Sequence, residues 1–246
     1  MFSIIIPTYN EADQIAQTIS KTHAANGKHE AEIIVVDGGS TDDTVAIAKQ
    51  CGATVLVSER KGRAAQMNKG VSVAKHEILY FLHADSIPPN DFTSKILNIY
   101  NKGTKSGCFR LAFDYDHWFL KANAWFTRFN VNAVRFGDQS LFVTKEVFEK
   151  SGGFREDLMM MEDQEIIHRI KKHGRFKVMN GIVTTSARKK PPKHIWASVQ
   201  DGIRYFRMMV GKPPKGSSPK IQQELDLNKD ATWHTKKSEG KKLRGK

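Results

Sequence analysis

The run Glu32-Ile33-Ile34-Val35-Val36 leads directly into Asp37-Gly38-Gly39-Ser40-Thr41-Asp42-Asp43-Thr44, and this junction constrains the fold more than any other stretch. A run so short, apolar and β-branched reads as a strand buried on both faces, the kind that a parallel sheet covered by helices requires. The glycines allow a close turn, Ser40 or Thr41 can cap a following helix, and Asp42 and Asp43 fall in the first turn, where the helix dipole favours negative charge. Asp37 then sits at the carboxyl end of a strand, the edge at which open α/β sheets bind ligands. An ordinary strand-to-helix turn has the same appearance in isolation, so the surroundings must decide.

They repeat the pattern. Residues 2–7 read as a strand closed by Pro7, and Thr8-Tyr9-Asn10-Glu11 leads into a helix carrying Ile15, Ile19 and Thr22, with Asn10 as its cap. The helix after Asp37 ends at Gly52, residues 53–57 form a third strand, and residues 62–74 form a helix. Residues 77–82 are strand-like again and end in His83-Ala84-Asp85. This order predicts a doubly wound, mostly parallel α/β sheet with flanking helices. Tyr9, Glu11, Asp37 and Asp85 then collect on one rim.

The second half is less regular. Past Pro88-Pro89 come a helix through Phe92, Ile96 and Ile99 and a strand at residues 108–113. Trp118, Phe119, Trp125, Phe126 and Phe129 recur at roughly helical spacing; such a stripe reads as core, with an acceptor- or membrane-facing surface as the alternative. Gly137-Asp138-Gln139 precedes a strand at residues 140–143, Gly152-Gly153-Phe154 turns the chain, and Glu162-Asp163 opens a helix with Ile166, Ile167 and Ile170 inward. Two short strands are expected at residues 176–179 and 183–185, followed by Arg188. The predicted organisation is a main domain over residues 1–190 with halves at about 1–88 and 89–190. An amphipathic helix at 191–211 and a basic, disordered tail at 212–246 complete it.

Composition narrows the partners. Of the formal net charge of +13, +11 lies beyond residue 186, where sixteen Lys and Arg face five Asp and Glu. The main domain therefore lacks the broad basic surface of a nucleic-acid binder. Cys51 and Cys108 offer neither a disulfide framework nor a zinc spacing, which suits a reducing, cytoplasmic setting. No apolar run approaches a membrane span, so a soluble, unprocessed chain is expected. Acids at neighbouring strand ends with few compensating cations suit a nucleotide diphosphate carrying Mg²⁺ or Mn²⁺.

Taken together, Pro7-Thr8-Tyr9-Asn10-Glu11, the Asp37 to Asp42 run, Asp85 after an apolar strand and Glu162-Asp163 at a helix start resemble the inverting family 2 glycosyltransferases of the GT-A fold. Residues 63–70, residues 82–85 and Gly137-Asp138-Gln139 resemble a small soluble bacterial subgroup of that family with no assigned acceptor. The resemblance implies that Pro7, Tyr9, Glu11, Gly38, Arg63, His83 and Ala84 line a nucleotide pocket, with Asp37 reading the base. It further implies Asp85 as metal ligand and Asp163 as catalytic base with Glu162 beside it. Asp138, Gln139 and Arg188 become candidate substrate or diphosphate contacts. The implied reaction moves one sugar from a nucleotide-diphosphate donor to a hydroxyl acceptor; the basic C-terminus beside an amphipathic stripe adds the expectation of peripheral membrane contact and a lipid-linked acceptor. The family's usual Asp-X-Asp is His83-Ala84-Asp85 here, so the first acid is lost and His83 reads better as a sugar or backbone contact than as a ligand. A Gln-X-X-Arg-Trp motif is absent, which points to a single transfer. The rivals are a sugar nucleotidyltransferase, which would want a glycine-rich basic loop after the first strand, and a non-enzymatic module binding anionic lipid or nucleic acid through the tail.

Overall fold

A computed structural model describes residues 1–130, 139–158 and 162–186. The chain divides into two compact units at Met1–Ala187 and Arg188–Lys246. The expected helix at 191–211, the tail beyond it, and Asp138 and Arg188 lie outside the described residues.

The first unit holds one eight-stranded sheet in the order β3-β2-β1-β4-β7-β6-β8-β5. Its strands are β1 (Phe2–Thr8), β2 (Ala31–Asp37), β3 (Thr54–Val57), β4 (Ile78–Phe81), β5 (Ser86–Ile87), β6 (Ser106–Phe113), β7 (Leu141–Thr144) and β8 (Phe176–Thr185). The helices are α1 (Ala12–Ala25), α2 (Thr44–Gln50), α3 (Arg63–Val73), α4 (Phe92–Tyr100), α5 (Trp118–Phe126), α6 (Lys145–Lys150) and α7 (Glu162–Ile170). Strands β3, β2, β1 and β4 are mutually parallel, β7 is reversed, β6 and β8 return to the first direction, and β5 is reversed at the edge.

The two-residue strand period divides the buried side chains between two cores. Phe2, Ile4, Ile6, Ile33, Val35, Ile78 and Tyr80 join Ile15 and Ile19 of α1 and Phe92 and Ile96 of α4 on one face. Ile5, Ile34, Val36, Leu79 and Phe81 join Met67 of α3, Phe148 of α6 and Ile166, Ile167 and Ile170 of α7 on the other. The sheet is therefore covered on both sides, as the apolar runs require.

Four local expectations are corrected. Asn10 does not cap α1: Glu11 holds that position without a side-chain cap, while Asn10 adopts φ 52° in the preceding loop. Helix α2 starts only at Thr44, so Asp42 precedes it, with Oδ1 accepting from the Thr44 amide at 3.1 Å. The two final strands are one strand, β8, because Asn180 and Gly181 bulge out where its pairing with β6 shifts register. Gly181 has φ 137°, and a Cβ there would lie 2.9 Å from Phe109 Cδ1. The aromatic stripe, finally, is not core: Leu120 is buried, but Trp118, Trp125, Phe126 and Phe129 are exposed.

Candidate active site

Strands β1, β2, β4, β6 and β8 all end at one edge of the sheet, where Thr8 pairs with Asp37 in register. Asp37 is buried and folds its own turn: Oδ2 accepts from the amides of Gly39 and Ser40, both at 2.8 Å. Its Oδ1 accepts from the Ser40 hydroxyl and, at 3.5 Å, from Thr8 Oγ1.

The loops after β1 and β2 are stitched together. The Asn10 amide donates to Ser40 Oγ at 2.9 Å, the Thr41 amide to Asn10 Oδ1 at 2.8 Å, the Glu11 amide to Thr44 Oγ1 at 2.8 Å and the Ala12 amide to Asp42 Oδ2 at 3.1 Å. The hydrogen bond from Thr44 chiefly holds the Asp42 carboxyl below its ordinary range. The clasp fixes the main chain yet leaves the Tyr9 ring 53% exposed on the rim. Pro7 is buried within β1 and Glu11 is half-buried at the start of α1.

Helix α3 braces this edge from one face. Gln66 is buried, and its Nε2 donates to the carbonyls of Thr8 and Val36, both at 2.7 Å, which ties the ends of β1 and β2. Gly38 packs over that amide: a Cβ on it would lie 3.1 Å from Gln66 Nε2. Two residues further, Asn68 Oδ1 accepts from the Phe154 amide at 2.9 Å and Nδ2 donates to the Phe154 carbonyl at 2.8 Å, fixing the turn that leads toward α7. Both amides lie in the 63–70 run, and neither has its partner nearby in sequence. The available signal was an amide side chain on the buried face of a helix, where it must find partners.

Helix α7 brings two acids. Arg63, at the start of α3, places Nε 2.7 Å from Glu162 Oε1. Glu162 is 1% exposed, and among the described residues neither of its oxygens accepts an aligned hydrogen bond. Burial, and next the neighbouring Asp163 charge, push the Glu162 carboxyl above its ordinary range, against the opposing pull of Arg63 and His83. Asp163 is also buried, and its Oδ2 stands 3.8 Å from His83 Nε2. His83 starts a tight turn in which its carbonyl accepts from the Ser86 amide at 3.1 Å. Within that turn the buried Ala84 accepts from Thr18 Oγ1 at 2.6 Å, and the half-buried Asp85 accepts from Ser86 Oγ at 3.4 Å.

The structure thus brings together His83, Asp163, Glu162 and Arg63 through direct contacts, and Asp37 with the Thr8 to Glu11 loop. Gln139 lies just before β7. It is buried, and its Nε2 donates to the carbonyls of Phe109 at 3.2 Å and Thr127 at 3.1 Å, which spends both amide hydrogens inside the fold. A cavity of ≈ 330 Å³ opens beyond the end of β6, lined by Phe113, Tyr115, Asp116, Leu120 and Lys121 among others, apart from the acids just described.

A mostly parallel sheet covered by helices on both faces, carried on this order of elements, is the GT-A fold. The family described as glycosyl transferase family 2 matches residues 3–159, and the chain belongs to it. An uncharacterized glycosyltransferase of Mycobacterium tuberculosis is 29% identical over 176 residues, covering 68% of this chain and 67% of the relative. The mannosyltransferase PcManGT of Pyrobaculum calidifontis, solved with GDP-Man and Mn²⁺, superposes with a TM-score of 0.66 at 20% identity, covering 92% of this chain and 68% of that one. Glucosyl-3-phosphoglycerate synthase of M. tuberculosis, solved with Mn²⁺, UDP and phosphoglyceric acid, gives 0.62 at 19% identity, covering 88% and 80%. Against Staphylococcus aureus TarS the TM-score is 0.61 at 16% identity, with 75% of this chain but only 36% of TarS covered. These likenesses establish the fold.

Proposed function

We propose that the protein is an inverting, metal-dependent glycosyltransferase that moves one sugar from a nucleotide-diphosphate donor to a hydroxyl acceptor, with Asp163 as general base. The observation that carries this reading is the contact of Asp163 with His83, two residues before Asp85. It brings the acid that takes a proton to the turn bearing the acid that faces the diphosphate. The exposed Tyr9 ring offers a platform for the base beside Asp37, whose Oδ1 accepts from the Ser40 hydroxyl and, at 3.5 Å, from Thr8 Oγ1, so a ring N–H would take the place of one of these donors there. Arg63, half exposed, can reach a phosphate from its place against Glu162.

The donor set at Asp85 fits a hard divalent ion brought with the nucleotide. Among the described residues no group of three or more His, Cys, Asp or Glu could hold an ion unaided. One carboxylate completed by phosphate oxygens and water is a coordination that Mg²⁺ or Mn²⁺ accepts. When bound, the ion supplies positive charge to the departing diphosphate. Asp163 accepts the acceptor hydroxyl's proton as that oxygen attacks C1 from the face opposite the diphosphate, and the anomeric centre inverts. A single displacement requires no carboxylate nucleophile. The acceptor is taken to be lipid-linked, with the basic end beyond residue 186 drawing the enzyme to an anionic leaflet.

The test is release of nucleoside diphosphate from a panel of UDP- and GDP-sugars with Mg²⁺ or Mn²⁺ and varied hydroxyl acceptors. Asp163→Asn is expected to lower turnover about 10²- to 10⁴-fold with nucleotide binding retained. Full turnover in that variant removes Asp163 from the mechanism.

A further inference from the structure

Helix α5 turns its apolar side outward. Trp118 is 69% exposed, Trp125 47% and Phe126 45%, at offsets of seven and eight residues that share one face of a 3.6-residue helix, and Phe129, in the turn that follows, is 44% exposed. The opposite side faces the protein. There Leu120 is buried, and Thr127 Oγ1 accepts from the Leu111 amide at 3.0 Å while donating to the Ala124 carbonyl at 2.6 Å. With Tyr115, these rings make up five of the ten exposed large hydrophobics among the described residues, so they form a patch rather than a scatter. The rings touch: Trp125 lies 5.2 Å from Phe126 and 5.1 Å from Phe129 between centroids. The Arg128 guanidinium sits 4.7 Å over the Trp125 ring, and Lys121 stands on the same face, 2.7 Å from Asp116.

We propose that this face of α5 is a docking surface for an anionic lipid bilayer. Indole and phenyl rings flanked by Lys and Arg have one end suited to acyl chains and the other to phosphate head groups, the composition of helices that lie in the membrane interface. Charge decides between a bilayer and a second copy of the chain. Two-fold self-pairing would bring the Arg128 guanidinium of both copies together, whereas anionic head groups complement it and can compete with Asp116 for Lys121. Position supports the choice. Helix α5 follows the carboxyl end of β6, the sheet edge that bears Asp37, and the ≈ 330 Å³ cavity shares Leu120, Lys121 and Ala124 with it. A hydroxyl acceptor anchored in lipid would enter at that edge. This consequence rests on the proposed transferase reading; the docking itself does not.

The experiment uses the full chain with Trp196→Phe and Trp233→Phe, which leaves Trp118 and Trp125 as the tryptophan reporters. Vesicles of phosphatidylcholine and phosphatidylglycerol in equal parts, with brominated acyl chains, are expected to quench and blue-shift their emission. The triple variant Trp118→Ser, Trp125→Ser, Phe126→Ser is expected to reduce vesicle partitioning, measured by co-sedimentation, by about tenfold or more, with melting temperature and donor turnover in detergent-free buffer unchanged. Absence of quenching, or equal partitioning of the triple variant, overturns the proposal. So does a lipid-free dimer that the variant dissociates. Lost partitioning with intact turnover would leave the enzyme reading standing, and intact partitioning without turnover would defeat that reading alone.

Discussion

Arg63 and Glu162 face each other between two helices packed on the same side of the sheet, with Arg63 Nε 2.7 Å from Glu162 Oε1. The arginine side chain is 45% exposed and the glutamate side chain 2%, so the pair is unequal: one charge is solvated and the other is not. Such a pair holds an acid in place at the expense of stability, as functional sites often do.

Glu162→Gln is therefore expected to stabilise the fold at neutral pH. Burial raises the folded-state pKa of Glu162, so the native protein binds its proton more tightly than the unfolded chain. The stability this contributes is complete below the unfolded carboxyl range, about pH 4, and is lost as pH rises through the folded value. Thermal unfolding across that range should show wild type and variant close together in acid and diverging as pH rises. The variant should gain within the about 0.5–2 kcal/mol typical of single stabilising replacements while losing activity. Arg63→Ala should do the reverse, because it removes an attraction that opposes the shift, and should steepen the loss of wild-type stability with pH.

Gln66 makes a sharper case, since its one amide nitrogen serves two strand ends. Gln66→Leu leaves the Thr8 and Val36 carbonyls short of a donor in a buried place and is expected to destabilise by about 1–3 kcal/mol in urea unfolding. Gln66→Glu should be worse at neutral pH, because a carboxylate would confront two carbonyl oxygens, and should recover toward the leucine variant in acid. Both should weaken nucleotide binding more than a comparable core loss elsewhere, since Gly38 packs on this amide.

The legible parts of the sequence were those where local pattern and tertiary role coincide. Residues 32–36 announced a twice-buried strand because each of its faces meets a core, and Asp37 announced a rim because strands end where apolar character stops. Gln66 and Asn68 could not be read in the same way: their place on the inward side of a helix signals that they need partners, but those partners at Thr8, Val36 and Phe154 lie far off in sequence. The α5 rings misled for the opposite reason, because helical spacing shows that side chains share a face but not which way it points. Residues 176–185 looked like two strands because Gly181 interrupts the pattern, although β6 runs alongside both parts.

The loop clasp gives a test of backbone against side chain. Asn10 combines φ 52° with an Oδ1 that accepts from the Thr41 amide, so two replacements separate the contributions. Asn10→Gly keeps the left-handed backbone and loses only the hydrogen bond, while Asn10→Ala loses both. The alanine variant is expected to be less stable than the glycine variant by about 1 kcal/mol, the strain of a Cβ in that region. Equal melting temperatures for the two would show that φ at this position is not held by the clasp.

Gly70 closes α3 against β1, and its substitution sets two known effects against each other. Alanine in a helix interior is favoured over glycine by about 1 kcal/mol. Here, however, a Cβ would lie 2.5 Å from Ile5 Cγ2 and 3.2 Å from Val36 Cγ2, inside a packed core beneath the candidate site. Overpacking of that kind costs about 1–3 kcal/mol, so Gly70→Ala is expected to lower stability on balance, measurable as a shift of the denaturant midpoint at constant slope. Ile5→Val retains Cγ2 and should not relieve the clash. Ile5→Ala removes it, so the Ile5→Ala, Gly70→Ala double variant should be more stable than the sum of the single losses predicts. Strict additivity in that cycle would mean that α3 shifts to accommodate the methyl group. Gln66 and Arg63 would then move with it, and donor turnover should fall even in the double variant.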